Sequence, residues 1–201
     1  MNESADQMDQ TPPYGIVAIA SSAGGITALG RVLGGFPADL PVPVVVVQHL
    51  DRRHQTIIAE VIQRRTSLET KLASDGERIA PGTIHIAPPN HHLLVNANET
   101  LSLTSTELVH FVRPSADLLF ESVAASYGSA ALACVLTGSG SDGAMGVTAI
   151  KSRGGSVIVE DPESAEFKGM PEAAVSAGVA DFILPLDEIA PVICRLVGAV
   201  T

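Results

Sequence analysis

The chain has 201 residues, of which 46% are hydrophobic and 17% charged, and its 22 acidic and 12 basic side chains give a net charge of −10. This apolar content excludes a disordered chain and is sufficient for the core of one large domain. The acidic balance disfavours nucleic acid as a partner, because that affinity rests on Lys and Arg neutralising phosphates. With two Tyr and no Trp, the chain also has few platforms for stacking bases.

The sequence contains no sign of insertion into or passage through a membrane. No apolar run approaches the roughly 18 residues that a membrane helix requires. The first residues, MNESADQMDQTPP, are acidic and polar, whereas a secretory signal needs a basic end followed by an apolar stretch. We therefore expect a cytoplasmic protein without membrane insertion.

The first quarter of the chain has the pattern of strand, turn and helix. Residues 1–14 are expected to be a disordered lead-in, and GIVAIA at 15–20 predicts a strand that passes through Ser-Ser-Ala-Gly-Gly into a helix broken at Gly34. The segment VPVVVVQHL at 42–50 is apolar on both faces, which is typical of a parallel strand covered by helices. A helix is expected after it, over roughly 54–65.

The rest of the chain first departs from this theme and then returns to it. Residues 76–103 form short apolar runs between Pro-Gly, Pro-Pro-Asn and Asn-Ala-Asn, which predicts hairpin strands. Beyond a helix capped by Ser115, three further strand-and-helix units are expected, with strands near 131–137, 155–161 and 181–186. We predict an α/β domain over 15–201: a doubly wound, mostly parallel sheet with helices on both faces and an antiparallel hairpin insertion.

Three of the predicted strands end in residues suited to acyl transfer. Ser22 follows the first strand, His49 the second, and Asp142 lies in the loop after ALACVLT. The carboxyl ends of parallel strands meet at one edge, where binding and catalysis usually occur. A serine hydroxyl becomes a useful nucleophile when an imidazole takes its proton, and a carboxylate orients that imidazole. The three residues predict a serine hydrolase.

Simpler interpretations exist for each of these residues. Serine and aspartate favour helix N-caps, so Ser21 or Ser22, and Ser141 or Asp142, could serve as caps alone. A histidine at a strand end is commonly a structural hydrogen-bonding residue.

A nucleotide site is the main alternative function. Gly138, Gly140 and Gly143 follow a strand and spell GxGxxG, and Glu160 ends the next strand, as in dinucleotide-binding proteins. Against this alternative, Asp142 would place a carboxylate beside the helix start that should bind an anionic pyrophosphate.

No metal site and no cofactor are predicted. His85, His91 and His92 lie close together in the predicted hairpin region, but the sequence has no carboxylates at ligand spacing from them. We expect ordinary surface or strand residues there.

Several segments, in order, resemble a known family, the catalytic domain of the chemotaxis protein-glutamate methylesterases, usually called CheB. The resemblance covers nearly all of residues 15–199. It is carried by IASSAGG at 19–25, QHL at 48–50, IAPGTIHIAPPNHHLLV at 79–95, RPSADLLF at 113–120, VLTGSGSDGAMG at 135–146 and FKGMPEAAVSAGVADFILPLDEI at 167–189.

The resemblance implies a role for each residue that matches the family pattern. It implies Ser22 as nucleophile, His49 as base and Asp142 as the orienting carboxylate. Backbone N–H groups near Ala23, Gly24 and Ser139 are implied as oxyanion donors. The family's usual GASTGG turn is here ASSAGG, and alignment to the paired glycines selects Ser22 rather than Ser21.

The implied substrate is a glutamate γ-methyl ester on the cytoplasmic helical bundle of methyl-accepting chemoreceptors, and some members of the family also deamidate receptor glutamine. A catalytically idle receptor-docking module with the same fold is a further alternative. Family members commonly carry an N-terminal receiver domain, which 14 residues cannot hold. We therefore expect control by a separate regulatory chain or by the substrate, unless the regulator lies outside this sequence.

Basic residues cluster just after His49 in this otherwise acidic chain. We hypothesise that Arg52 and Arg53 steer glutamate-rich receptor segments toward the site, the alternative being an ordinary solvated helix face.

Reversing the charge of Arg52 and Arg53 should raise the apparent KM for methylated receptor at low salt, because steering acts through unscreened charge. The measurement is methanol release at low and at high salt. An unchanged KM at low salt would exclude the hypothesis.

Overall fold

The computed structural model describes residues 14–50 and 56–199. Within them lie nine strands, with the following bounds: β1 (Ile16–Ser21), β2 (Val44–Gln48), β3 (Glu69–Leu72), β4 (Thr83–Ile86), β5 (His92–Val95), β6 (Leu101–Thr104), β7 (Ala131–Val135), β8 (Ser156–Glu160) and β9 (Phe182–Leu184). The helices are α1 (Gly25–Gly34), α2 (Ile58–Gln63), α3 (Ala116–Tyr127), α4 (Ala144–Ser152), α5 (Gly169–Ser176) and α6 (Leu186–Leu196).

Seven strands form one parallel sheet, in the order β3-β4-β2-β1-β7-β8-β9. β1 is central, and its Ala20 pairs with Val47 of β2 on one side and with Val135 of β7 on the other. The strand order reverses at β1, so a crevice opens at the carboxyl ends of β1, β2 and β7.

Helices cover both faces of the sheet, as the apolar strands require. On one face α1, α2 and α6 enclose a core that includes Leu29, Ile62 and Ile193. On the other face, α3, α4 and α5 enclose a second core together with the antiparallel hairpin of β5 and β6. This core includes Phe120 of α3 and Val147 of α4. The predicted doubly wound fold with a hairpin insertion is confirmed.

The middle of the chain differs from the prediction in one strand. The run Thr83–Ile86 is not part of a hairpin: it forms β4, which lies parallel between β2 and β3. All four of its residues are buried, as in a strand covered on both faces. A four-residue run bounded by prolines fits either strand type, so its pattern alone could not identify its partners.

The start of α2 and the start of the described chain can be compared with the predicted segments. Helix α2 begins at Ile58, whose N–H donates to the Thr56 hydroxyl, later than the predicted start near residue 54. Residues 1–13 of the expected lead-in lie outside the described residues. Tyr14 is described, and its hydroxyl lies 2.8 Å from the Ser156 hydroxyl on β8.

Close packing of α3 against α4 depends on a glycine. A Cβ at Gly146 would lie 2.7 Å from Phe120 Cβ and 3.0 Å from Asp117 Cα, neither of which can move without shifting α3. Gly30 of α1 is a second helical glycine, and an added Cβ there meets the side chain of the exposed Arg65 instead. Alanine at either position raises helix propensity, but only at Gly146 does it also crowd a neighbouring helix. Comparing the two variants therefore distinguishes the effect of packing from that of helix propensity.

Gly146→Ala should lower the free energy of unfolding by about 1–3 kcal/mol through overpacking. Gly30→Ala should be neutral or stabilising by up to about 1 kcal/mol, because alanine favours helix and the arginine side chain can move. Urea unfolding of both variants measures the difference. Equal effects at the two sites would contradict close α3–α4 packing.

Candidate active site

The sheet brings Ser22 and His49 to the same edge. Both residues directly follow their strands, and hydrogen bonds continue beyond the strand ends, from the His49 N–H to the Ser21 carbonyl (3.1 Å) and from the Ser22 N–H to the Thr137 carbonyl (3.0 Å). Gly138, in the loop that follows β7, packs against Ser22, since a Cβ there would lie 2.9 Å from Ser22 Cβ. Three strand ends thus converge on Ser22.

Ser22 and His49 line one open cavity of about 330 Å³, together with Gly24, Gln48 and Leu50 among others. The His49 Nε2 lies 2.9 Å from Asp142 Oδ2. The described contacts include no hydrogen bond between the Ser22 hydroxyl and His49. The structure therefore brings the three predicted residues together and pairs two of them directly.

One buried amide ties the two strand ends together. Gln48 Nε2 donates to the carbonyl of Ser22 (2.8 Å) and to that of His49 (2.9 Å), while its Oε1 accepts from the Ser21 hydroxyl (2.7 Å). Ser21 is fully buried. The predicted alternative that Ser21 caps a helix is wrong, because its hydroxyl serves this amide and no side chain caps α1.

The glycine pair after Ser22 is required for this arrangement. Gly24 has φ 74°, a backbone conformation that favours glycine, and it forms the N-cap of α1. A Cβ at Gly25 would collide with Gln48 Oε1 and approach the Ser21 hydroxyl. The helix can start this close to β1 and β2 because both positions lack a side chain.

Asp142 is held by the N-terminus of α3. Its Oδ1 accepts from the Ser115 hydroxyl (2.9 Å) and the Asp117 N–H (3.1 Å), and its Oδ2 accepts from the Ala116 N–H (2.6 Å) as well as from His49. All four acceptor positions of the carboxylate are therefore used. Asp142 does cap a helix, but that helix is α3, while α4 begins at Ala144 and its own N-cap residue, Gly143, has no side chain to cap it.

A second carboxylate, Asp117, reciprocates this contact. Its Oδ1 accepts from the N–H groups of Gly143 (2.9 Å) and Gly146 (2.7 Å) at the start of α4. Each of the two helices thus begins on a carboxylate supplied by the other segment, where the helix dipole favours negative charge. The sequence pattern does not reveal this role of Asp117, because its partners lie 26 and 29 residues away.

The two carboxylates have opposite pKa shifts. Burial alone would raise the pKa of Asp142, but hydrogen bonds from His49, Ala116 and Asp117 outweigh it, so the pKa is lowered. Burial raises the pKa of Asp117 despite its two N–H donors, and the Asp142 charge raises that pKa further. Asp142 is therefore the charged partner of His49, and Asp117 is the carboxylate that is costlier to ionise.

The backbone N–H groups predicted as oxyanion donors lie around the same edge. Ala23 and Gly24 form the turn between Ser22 and α1, and Ser139 follows Gly138 on the exposed side of the β7 loop. In the described part of the chain, no hydrogen bond occupies the N–H of Ala23, Gly24 or Ser139. Their role as oxyanion donors stays a prediction.

The nucleotide alternative does not fit the structure. The start of α4, which should receive a pyrophosphate, is occupied by the Asp117 carboxylate. Glu160, the expected ribose ligand, is buried, and its Oε2 accepts from the Thr137 N–H at 2.7 Å. The glycines of the motif serve tight packing and turns instead.

The histidines of the hairpin region have protein partners. His85 Nδ1 lies 2.7 Å from Glu77 Oε1, a carboxylate partner that the sequence reasoning did not find, and His92 Nε2 lies 3.0 Å from the Glu107 carbonyl. Among residues 14–50 and 56–199, no cluster of three or more His, Cys, Asp or Glu side chains could hold a metal ion. In the same ranges, no helix is long and apolar enough to cross a membrane. Arg52 and Arg53, proposed for steering, lie outside the described residues.

An open parallel α/β sheet with a serine, a histidine and a paired aspartate at its switch point defines the hydrolase class of site. A family model described as CheB methylesterase matches residues 17–193. The chain belongs to the CheB methylesterase family.

Individual relatives agree with this membership. A solved structure, the CheB methylesterase catalytic domain of Thermotoga maritima, superposes with a TM-score of 0.87 at 35% identity, covering 93% of this chain and 99% of that one. A relative from Leptospira interrogans is 38% identical, covering 91% of this chain and 95% of that protein. The protein-glutamate methylesterase/protein-glutamine glutaminase 1 of Paramagnetospirillum magneticum is 43% identical, and the match spans 49% of its length.

Asp117→Asn should stabilise the protein at neutral pH, because the amide keeps the acceptor oxygen and removes a buried charge beside Asp142. The raised pKa means that the wild type loses stability as pH rises through it, so the variant's advantage should grow with pH. We expect a Tm about 2–4 °C above wild type near pH 7.5, shrinking toward about pH 4.

The matched control has the opposite sign. Asp142→Asn removes a carboxylate whose pKa is lowered, so it should reduce Tm near neutral pH and lose its effect in acid. Thermal melts of both variants across this pH range measure these changes in Tm. A lower Tm for Asp117→Asn at every pH would contradict the raised pKa of Asp117.

Proposed function

We propose that this protein is a serine hydrolase that removes the methyl group from glutamate γ-methyl esters on chemoreceptors, with Ser22, His49 and Asp142 as its catalytic residues. The observation that carries the proposal is the 2.9 Å contact between His49 and the buried Asp142, at the cavity that Ser22 lines. Family membership and the relatives' names support the substrate class.

The geometry of the His49 ring supports one nitrogen as the proton-accepting atom. Asp142 engages Nε2 of His49, so Nε2 carries the proton in that contact and Nδ1 is the nitrogen free to act as base. Ser22 Oγ attacks the ester carbonyl carbon while its proton moves to His49 Nδ1. The lowered pKa of Asp142 keeps its negative charge next to the imidazolium that forms.

The tetrahedral intermediate carries its charge on the former carbonyl oxygen. The N–H groups of Ala23, Gly24 and Ser139 are the candidate donors to this oxygen, and a preorganised donor of this kind contributes about 100- to 1000-fold in rate. When the intermediate collapses, the C–O bond to the methoxy group breaks, and the proton on His49 passes to the leaving oxygen to give methanol.

Water completes the cycle through the same groups. It attacks the acyl-enzyme carbonyl, gives its proton to His49 Nδ1, and the bond to Ser22 breaks as the proton returns to Ser22 Oγ. The product is the glutamate carboxylate. The same sequence on a glutamine side chain would release ammonia, which fits the glutaminase activity in the relatives' names.

The idle docking module is the remaining alternative, because it would keep the same fold. A fluorophosphonate probe separates the two, since it reacts with an activated serine and ignores an inert one. Labelling of wild type and of Ser21→Ala, but not of Ser22→Ala or His49→Ala, is the pattern expected of the hydrolase. An unlabelled wild type would favour the idle module.

Ser22→Ala should lower the rate of methanol release from methylated receptor by about 1000-fold or more, because it removes the nucleophile. The neighbouring Ser21→Ala provides the matched control. It leaves Gln48 Oε1 without its donor, so it should cost about 1–3 kcal/mol of stability but retain catalysis. Methanol release and urea unfolding measured together distinguish the two effects.

If Ser21→Ala abolished turnover while Ser22→Ala retained it, the two serines would exchange roles. If wild type released no methanol yet hydrolysed small esters, the receptor would be the wrong substrate.

A further inference from the structure

A two-residue turn beside the active site has an unfavourable backbone conformation. Val109 and Val112 exchange both backbone hydrogen bonds, at 3.2 and 2.9 Å, around His110 and Phe111. These two residues have φ 48° and φ 67°, the left-handed region. Turns of this kind favour Asn and Gly, and a bulky side chain in this conformation is energetically unfavourable.

Phe111 gains no burial in exchange. Its side chain is 90% exposed, the largest exposure among the exposed large hydrophobic residues of the described chain. An exposed aromatic ring on a strained backbone stabilises neither the turn nor the core. Strained backbone of this kind is concentrated at functional sites, and exposed apolar surface is typical of binding sites. The two features together indicate that the ring binds a partner outside the chain.

The ring lines a pocket that adjoins the catalytic cavity. Phe111 lines a pocket of about 140 Å³ with Val112, Arg113, His49 and Leu50. His49 and Leu50 also line the cavity of Ser22, so the two pockets adjoin at these residues. A protein substrate bound over the cavity of Ser22 would therefore lie close to Phe111.

The turn is fixed in place before any partner arrives. The Arg113 guanidinium donates to Asn90 Oδ1 at 3.1 and 2.7 Å and to the carbonyl of Ser105 at 2.8 Å, and it also contacts the Thr106 carbonyl. His92 holds the Glu107 carbonyl from β5. A preorganised aromatic ring loses little conformational entropy on binding, which is typical of hot-spot residues.

We propose that Phe111 is a specificity-determining residue: its ring packs against an apolar surface of the protein substrate while the ester enters the cavity of Ser22. The proposal rests on the proposed function. The occupant is the substrate itself, because the ring lies in a pocket that shares His49 and Leu50 with the space that the ester must enter.

The test compares a protein substrate with a small ester in Phe111→Asn, since asparagine accepts the left-handed backbone and removes the ring. We expect KM for a methylated receptor cytoplasmic fragment to rise about 10- to 30-fold with kcat within about threefold of wild type. The loss of kcat/KM should be at least about five times larger for the receptor than for p-nitrophenyl acetate. Phe111→Tyr should restore most of the affinity.

Ile183→Thr is the matched control, because it removes a different solvent-exposed apolar side chain, which lies on β9. It should leave both substrates unaffected. Direct binding of receptor to Ser22→Ala, with and without Phe111→Asn, should show the same loss of affinity as KM, and Tm should stay equal or rise because the strain is relieved.

Three outcomes would overturn the proposal. One is an unchanged receptor KM in Phe111→Asn, and another is an equal loss for both substrates. The third is a change of oligomeric state on ultracentrifugation without a change in receptor KM, which would assign the ring to a second copy of the chain. Failure of the proposed function is recognised separately, as a wild type that releases no methanol from methylated receptor.

Discussion

The start of α3 and the start of α4 are joined by two carboxylates, and the rest of the site is built on this junction. Asp142 closes the N-terminus of α3, and Asp117 closes that of α4. Two buried like charges would repel each other, but each accepts backbone N–H groups at the positive end of a helix, which offsets part of that cost. The two pKa values are shifted in opposite directions: Asp142 is the easier carboxylate to ionise, and it is the one that contacts His49.

This junction connects the core with the site chemistry. The close approach of α3 and α4 requires a glycine at 146, and that approach brings Asp117 within reach of the Gly143 N–H. The same geometry fixes Asp142 against His49, which follows a strand of the central sheet. The orientation of the imidazole therefore depends on the packing of α3 against α4 as well as on the short loop that carries Asp142.

Much of this arrangement could be predicted from the sequence, and what could not has a common physical cause. Ser22, His49 and Asp142 could be found because each follows an apolar strand, and strand ends share an edge. The roles of Asp117 and Gln48 could not be predicted, because most of their hydrogen-bond partners are distant in sequence. Asp117 lies within α3 and Gln48 ends β2, and neither segment has a sequence pattern that marks these residues. The sequence of β4 predicts a hairpin strand for the same reason, since a short apolar run does not reveal which strands flank it. Asp142 likewise caps the spatially adjacent helix rather than the one that follows it in the chain.

The segment between Ser105 and Asp117 has one part that stabilises the fold and another that destabilises it. Its end supplies the N–H groups and the hydroxyl that hold Asp142, and these contacts stabilise the fold. Its middle holds His110 and Phe111 in left-handed conformations, with the aromatic ring in solvent. The strained turn cannot relax freely, because Arg113 and His92 fasten it to the hairpin on either side. A rigid segment that spends stability on an exposed ring next to the catalytic histidine is better explained by substrate recognition than by folding, because folding alone would favour asparagine or glycine at that position.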